Sequence, residues 1–257
     1  MLEELLGASH TDTAALYCNV ASLYLKQGKY NEAKPWLEKA FTIQEAWPDK
    51  EHSSNTACIY AAKGYACIIN GRFDEAIGWY KKAVGIQESV NGKEHPVTME
   101  INGNIAKIYQ IQRKYEDALK IYRRVSKVQE RRRGKKHPNT TSIYRNIGSV
   151  YRAMGRYRDA LVWYEKALEI RKEIYGEEHI STAILYNDLG VIYYEWWKWK
   201  TSKALEYFLK ALSIDEKMLG VTDQDTKNVY RNLAKTYSRR FQLLKAWEYW
   251  KKHLGKG

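Results

Sequence analysis

The sequence is poor in the residues that chemistry and export require. Its three cysteines, Cys18, Cys58 and Cys67, follow no metal-ligand spacing, and an odd number makes a poor disulfide framework. A reducing, cytoplasmic setting is the expectation. No segment approaches the roughly eighteen consecutive apolar residues of a membrane span, and the opening MLEELLGASH has neither the charged nor the apolar region of a secretory signal. No nucleophile–base–acid set and no glycine-rich phosphate loop can be found. The sequence therefore predicts no enzyme, no cofactor and no resident metal.

What is present is an echo. GKEHPVT at 92–98 returns as GKKHPNT at 134–140 and as GEEHIST at 176–182. His10, His52, His95, His137, His179 and Asp223 follow one another at steps of 42, 43, 42, 42 and 44 residues. A second column, Ala33, Ala76, Ala118, Ala160, Ala204 and Ala246, keeps the same step, and so does a later one at Ala40, Ala83, Ala167 and Ala211, with Val125 standing in once. Three columns in register over six units mean stacked supersecondary elements that bury their apolar faces against one another.

One unit can be read in detail. Between Thr140 and Met154, Ile143, Ile147, Val150, Tyr151 and Met154 recur at helical spacing, which predicts a first helix. Gly155 ends it, and Tyr157 to Ile174 resumes the pattern as a longer second helix closed by Gly176. His-Pro at 95–96 and 137–138 opens a first helix, with proline pre-set for an early position. Ala21, Gly64, Ala106, Gly148, Gly190 and Ala234 form a small-residue column on the first helices, which permits close helix approach.

The columns small-x-x-Tyr, Gly-x-Tyr/Phe-x-x-Ala and a later Ala resemble the tetratricopeptide repeat, whose usual unit is about 34 residues. The 42-residue form resembles the extended repeat of kinesin light chains and of many bacterial multidomain proteins. The resemblance spans essentially the whole chain. It implies an all-α, right-handed α-solenoid of about six helical hairpins, with the first helices lining a concave side. The expected organisation is a single array over 1–257, with repeats at 10–51, 52–94, 95–136, 137–178, 179–222 and 223–257. Residues 1–9, with Leu2 to Leu6, are expected to be the tail of a preceding second helix, so that the chain opens inside a repeat, as an excised fragment of a longer array would; the alternative is a short natural cap. Repeat 5 departs from the pattern at Trp196-Trp197-Lys198-Trp199, and repeat 6 lacks the turn glycine.

The repeat also selects candidate functional residues. Histidines one repeat apart cannot converge on a metal, so they are expected to be turn residues. Positions three before, one after, and four and five after the small column share a helical face. Across the six repeats these twenty-four positions hold seven basic residues, Lys26, Lys107, Arg145, Arg152, Arg231, Lys235 and Arg239, and one acidic residue, Glu195. Repeats 1 and 2 offer mainly apolar groups there, including Tyr65. An extended ligand with an apolar end and an acidic end is expected, the arginines meeting its carboxylates.

Asn19, Asn104, Asn146 and Asn232, interrupted by Ala62 and Asp188, form a further column. Carboxamides both donate and accept, so they could hold a peptide backbone; bonds between neighbouring repeats are the alternative. The family resemblance points toward peptide contact. Arg131-Arg132-Arg133-Gly134-Lys135-Lys136 invites a nucleic-acid reading but falls at the end of a second helix, where cations complement the dipole. The leading expectation is a non-catalytic protein-interaction scaffold for an acidic peptide or protein segment. A regulatory segment of a multidomain enzyme, and weaker nucleic-acid binding through the net charge of +13, are the rivals.

Overall fold

The computed structural model describes residues 11–46, 53–196 and 201–255. The Leu2–Leu6 segment, His10, His52, Trp197, Lys198 and Trp199 lie outside the described residues, as does the side chain of Lys26. Among the described residues all regular structure is helical, in twelve helices: α1 (Thr11–Lys26), α2 (Tyr30–Glu45), α3 (Ser54–Ile69), α4 (Phe73–Asn91), α5 (Pro96–Ile111), α6 (Tyr115–Arg133), α7 (Pro138–Ala153), α8 (Tyr157–Tyr175), α9 (Ile180–Trp196), α10 (Thr201–Met218), α11 (Gln224–Arg239) and α12 (Leu243–His253). They fall into two compact units, Met1–Ile121 and Tyr122–Gly257. In the first, the hairpins α1–α2 and α3–α4 pack internally and α4 packs on α5; in the second, α7–α8, α9–α10 and α11–α12 form hairpins, with α8 on α9 and α10 on α11.

The echo has a local cause. A 16-residue α7, a three-residue turn, a 19-residue α8 and a four-residue link make up the 42-residue period. Within the link, Gly176 adopts φ 85° and ψ 176°, and Gly92 adopts φ 89° and ψ 161°, a region open essentially to glycine alone. The glycine carbonyl then accepts the hydroxyl of the threonine six residues on: Thr98 to Gly92 at 3.1 Å, Thr140 to Gly134 at 3.0 Å and Thr182 to Gly176 at 2.9 Å. The histidine between them caps the next helix. Its Nδ1 accepts a backbone N–H two residues on, at 3.4 Å for His95, 3.1 Å for His137 and 3.1 Å for His179. Asp223 does the same with an oxygen at 2.8 Å, and Ser53 at 3.2 Å, satisfying a donor that the helix start leaves orphaned.

The turn inside each hairpin is equally specific. At Gly28, Gly71 and Gly155 a left-handed residue follows the first helix, its own N–H bonding three residues back and the next N–H five back, as with Gly155 to Arg152 at 2.9 Å and Arg156 to Tyr151 at 2.9 Å. This is the Schellman arrangement that satisfies the last carbonyls of a helix. Repeat 6 keeps it without glycine: Phe241 sits at φ 57°, and in repeat 3 Arg113 sits at φ 60°, each tolerating about 1–2 kcal/mol of steric cost.

The small column admits a ring from the partner helix. A Cβ added at Gly64 would stand 3.1 Å from the ring of Tyr80, one at Gly148 3.1 Å from Tyr164, and one at Gly190 only 2.6 Å from Phe208. The ring that fills the space thus belongs to the second helix of the hairpin. A further set of contacts ties the two helices of a hairpin together. Tyr60 meets Trp79 at 5.3 Å and Tyr144 meets Trp163 at 5.5 Å, with Lys82 and Lys166 held over these rings. Tyr17–Trp36, Tyr186–Tyr207 and Tyr230–Tyr249 repeat the pair. Such ring pairs and cation–π contacts each add on the order of 0.5–1 kcal/mol.

One buried group works against the packing. Asp215 of α10 is buried, and its Oδ1 has no hydrogen-bond partner among the described residues. Burial, and then the charges of Asp225 and Asp223, push its pKa up to about 7, from about 3.9 in an unfolded chain. Between those values the folded protein holds a proton that the unfolded chain has released. Stability is therefore greatest below the unfolded pKa and falls as pH rises through about 7. Urea unfolding across about pH 5 to 8 should show the wild type losing about 1–2 kcal/mol after allowance for solvent screening. Asp215→Asn should remove this loss; an unchanged slope would mean that the carboxyl does not titrate there.

Candidate binding face on the first helices

The residues singled out on the first helices do not all end up alike. In the first unit Cys18 and Leu25 are buried, whereas Asn19, Tyr65 and Lys107 are exposed and Asn104 is half-buried. The buried Cys18 thiol is kept protonated by its hydrogen bond with Cys58 and by burial. In the second unit the candidates are largely bonded to each other from one repeat to the next. The Arg145 guanidinium of α7 grips Asp188 of α9 through Nε, with a second contact from Nη2 at 3.3 Å. Burial works against its charge, but Asp188 outweighs it and holds the Arg145 pKa above its ordinary value. Arg152 pairs with Glu195 at 2.9 Å. On α11, Asn232 donates to Asn187 of α9 at 2.9 Å. Arg239 donates to the Tyr194 carbonyl, with its guanidinium 3.6 Å from the Tyr194 ring centroid.

These contacts form rungs with a fixed register. A residue three before the small column reaches one two before it on the next first helix, as in Arg145–Asp188 and Asn187–Asn232. A residue four after reaches one five after, as in Arg152–Glu195 and Tyr194–Arg239. Three of the arginines selected for ligand carboxylates therefore already have acceptors inside the chain. Asp188, which interrupts the asparagine column, is the acceptor of one of them. Asn146 is half-buried between these rungs.

Two cations remain. Arg231 and Lys235 are exposed, stand one turn apart on α11, and have no acceptor among the described residues. Beside them opens a cleft of about 580 Å³ whose lining includes Tyr194, Lys235, Ser238, Arg239, Trp247 and Trp250, within the usual size range of ligand sites. The basic run 131–136 ends α6, where Arg131 to Arg133 occupy the last turn and Lys136 pairs with Glu173 at 2.7 Å. Of the tryptophan turn, Trp196 stacks on Tyr157 at 6.2 Å. Among the described residues no group of three or more histidine, cysteine or acidic side chains converges as a metal would require, and no helix is long and apolar enough to cross a membrane.

The Arg145–Asp188 rung should be measurable. In urea unfolding, a double-mutant cycle with Arg145→Ala and Asp188→Asn should give a coupling of about 0.5–1.5 kcal/mol that shrinks as salt is raised. A coupling of zero would mean that the rung contributes no stability.

Comparison with known proteins agrees with this geometry. No curated protein matches the sequence. Among solved structures, BtubC from P. vanneervenii is 19% identical, with 90% of each chain covered and a TM-score of 0.69. A putative kinesin light chain from Podosopora anserina with nearly identical TPR-like repeats is 22% identical, covering 81% of this chain and 97% of its own, at a TM-score of 0.66. NprR in complex with its cognate peptide NprX is 17% identical, covering 95% of this chain and 66% of its own, at a TM-score of 0.70. At these identities the likeness speaks for the fold. The family model described as tetratricopeptide repeat matches residues 1–46, 55–130, 97–173 and 140–200. With the repeated hairpin, the small column and the turn geometry in agreement with that match, the chain belongs to the tetratricopeptide repeat family.

Proposed function

We propose that this protein is a non-catalytic protein-interaction module whose first-helix face binds an extended, net-acidic peptide or protein segment. The observation that carries this reading is the pair Arg231 and Lys235, exposed on α11 without internal acceptors while neighbouring arginines are paired. Four residues apart on one helix, they face the same way and can meet carboxylates at successive positions of an extended chain. In the first unit Lys107 and Tyr65 offer a further cation and an apolar contact, and the half-buried Asn104 offers a carboxamide to a peptide backbone. The structure of NprR with the peptide NprX gives a precedent for peptide binding on this fold.

Exposed charge pairs mainly select partners and speed association, so binding should weaken as salt is raised. In a screen of acidic peptides, Arg231→Ala combined with Lys235→Ala should lower affinity about tenfold or more, on the scale of two charge-assisted bonds. Arg145→Ala should have a much smaller effect, because that guanidinium is already engaged. Unchanged affinity in the double variant would remove the α11 assignment. Retention of duplex or single-stranded nucleic acid at physiological salt, with no peptide bound, would favour the phosphate-binding alternative.

A further inference from the structure

Between α1 and α3, which pack directly on each other, the polar rungs give way to a pair of thiols. Cys18 stands three before the small residue of α1, the position from which Arg145 and Asn187 reach the next first helix. Its counterpart on α3, two before Gly64, is Ala62, whose methyl offers no hydrogen-bonding group. One turn earlier on the same face stands Cys58. Helical side chains lean toward the N-terminus, which turns Cys18 toward that residue, and its S–H donates to the Cys58 sulfur. One turn before Cys58, Asn55 of α3 donates to Asp12 of α1 at 3.5 Å and ties the same two helices together.

The two thiols are unequal. Cys18 is 1% exposed, whereas Cys58 is open to solvent. The hydrogen bond from Cys18 pulls the Cys58 pKa down to about 7, against the smaller opposing effects of desolvation and of Glu100. An accessible thiolate with a second thiol in contact is the arrangement of a cysteine that oxidises and is then resolved by its neighbour. Cys67 stands apart. It lies nine residues beyond Cys58, about 13 Å along α3, and is buried with its thiol donating to Glu75.

We propose that Cys18 and Cys58 are a peroxide-responsive modification site, joined on oxidation by a reversible disulfide that ties α1 to α3. The Cys58 thiolate attacks one oxygen of a hydroperoxide; the S–O bond forms, the O–O bond breaks, and the other oxygen departs as hydroxide or alkoxide. Cys58 is oxidised to the sulfenic acid and the peroxide is reduced. The Cys18 sulfur then attacks the Cys58 sulfur; the S–S bond forms, the S–O bond breaks, and hydroxide leaves with the Cys18 proton as water. A dithiol reductant restores both thiols by exchange. The bond closes the chain from residue 18 to residue 58 and so resists separation of the first two hairpins.

Peptide mapping of the full reduced chain, after treatment with hydrogen peroxide and alkylation of the remaining thiols, tests this. Trypsin cleaves after Lys26 and after Lys63, so the three cysteines fall in separate peptides. The Cys18 and Cys58 peptides should be recovered joined, with Cys67 alkylated, and dithiothreitol should release them. Cys58→Ser should lose the crosslink and leave Cys18 reduced. Cys18→Ala, verified as folded by circular dichroism, should leave a Cys58 sulfenic acid that dimedone labels. Wild-type protein in which both Cys18 and Cys58 remain free thiols after peroxide overturns the proposal. So does Cys58 carried to the sulfinic acid, or joined to the Cys58 of a second copy, while Cys18 stays reduced.

Discussion

The structure depends on the link between one hairpin and the next. A glycine held at φ near +85° with extended ψ turns the chain sharply enough that its carbonyl meets a threonine hydroxyl six residues later, inside the next helix. The histidine halfway along caps that helix through Nδ1. Either bond is of ordinary strength; together they fix where the next first helix begins relative to the helix just ended. The period, the alignment of the small column against the facing rings, and the register of the rungs all follow from that placement. Where histidine is replaced by Asp223, the capping geometry persists with a carboxylate oxygen, so the position requires an acceptor more than it requires an imidazole.

Much of this was legible in the sequence, because Gly-x-x-His-Pro-x-Thr records the link directly and the small column records helix approach. The function of each motif residue was less legible. Threonine is unremarkable by propensity, and only the folded link reveals its carbonyl partner. Arg113 and Phe241 occupy turn positions that glycine usually takes, at φ 60° and 57°. Both side chains are exposed, and the backbone hydrogen bonds of the turn, not side-chain packing, hold the conformation there. The Tyr–Trp–Lys contacts within hairpins are not legible in the sequence, because each column alone reads as ordinary amphipathic helix.

The candidate binding face was legible as a face but not as a set of free charges. Columns identify which residues share a side of a helix. They do not say that Arg145 and Asp188, 43 residues apart, are brought into contact. A one-residue offset in the rungs, set by how neighbouring first helices lie, joins columns that sequence reading keeps separate. Once the rungs are accounted for, the positive charge that the first-helix face of the second unit can offer a ligand narrows to Arg231 and Lys235 of α11.

The most direct measurement compares one chemical change at two glycines. Gly176→Ala puts a Cβ into a conformation open essentially to glycine, at the link between α8 and α9, whereas Gly85→Ala lies within α4 with no atom close enough to obstruct it. By urea unfolding, Gly176→Ala should cost about 1–3 kcal/mol, and Gly85→Ala should stabilise by about 0.5–1 kcal/mol through helix propensity. Equal effects at the two sites, or a Gly176→Ala protein as stable as the wild type, would contradict the claim that the link sets the stack.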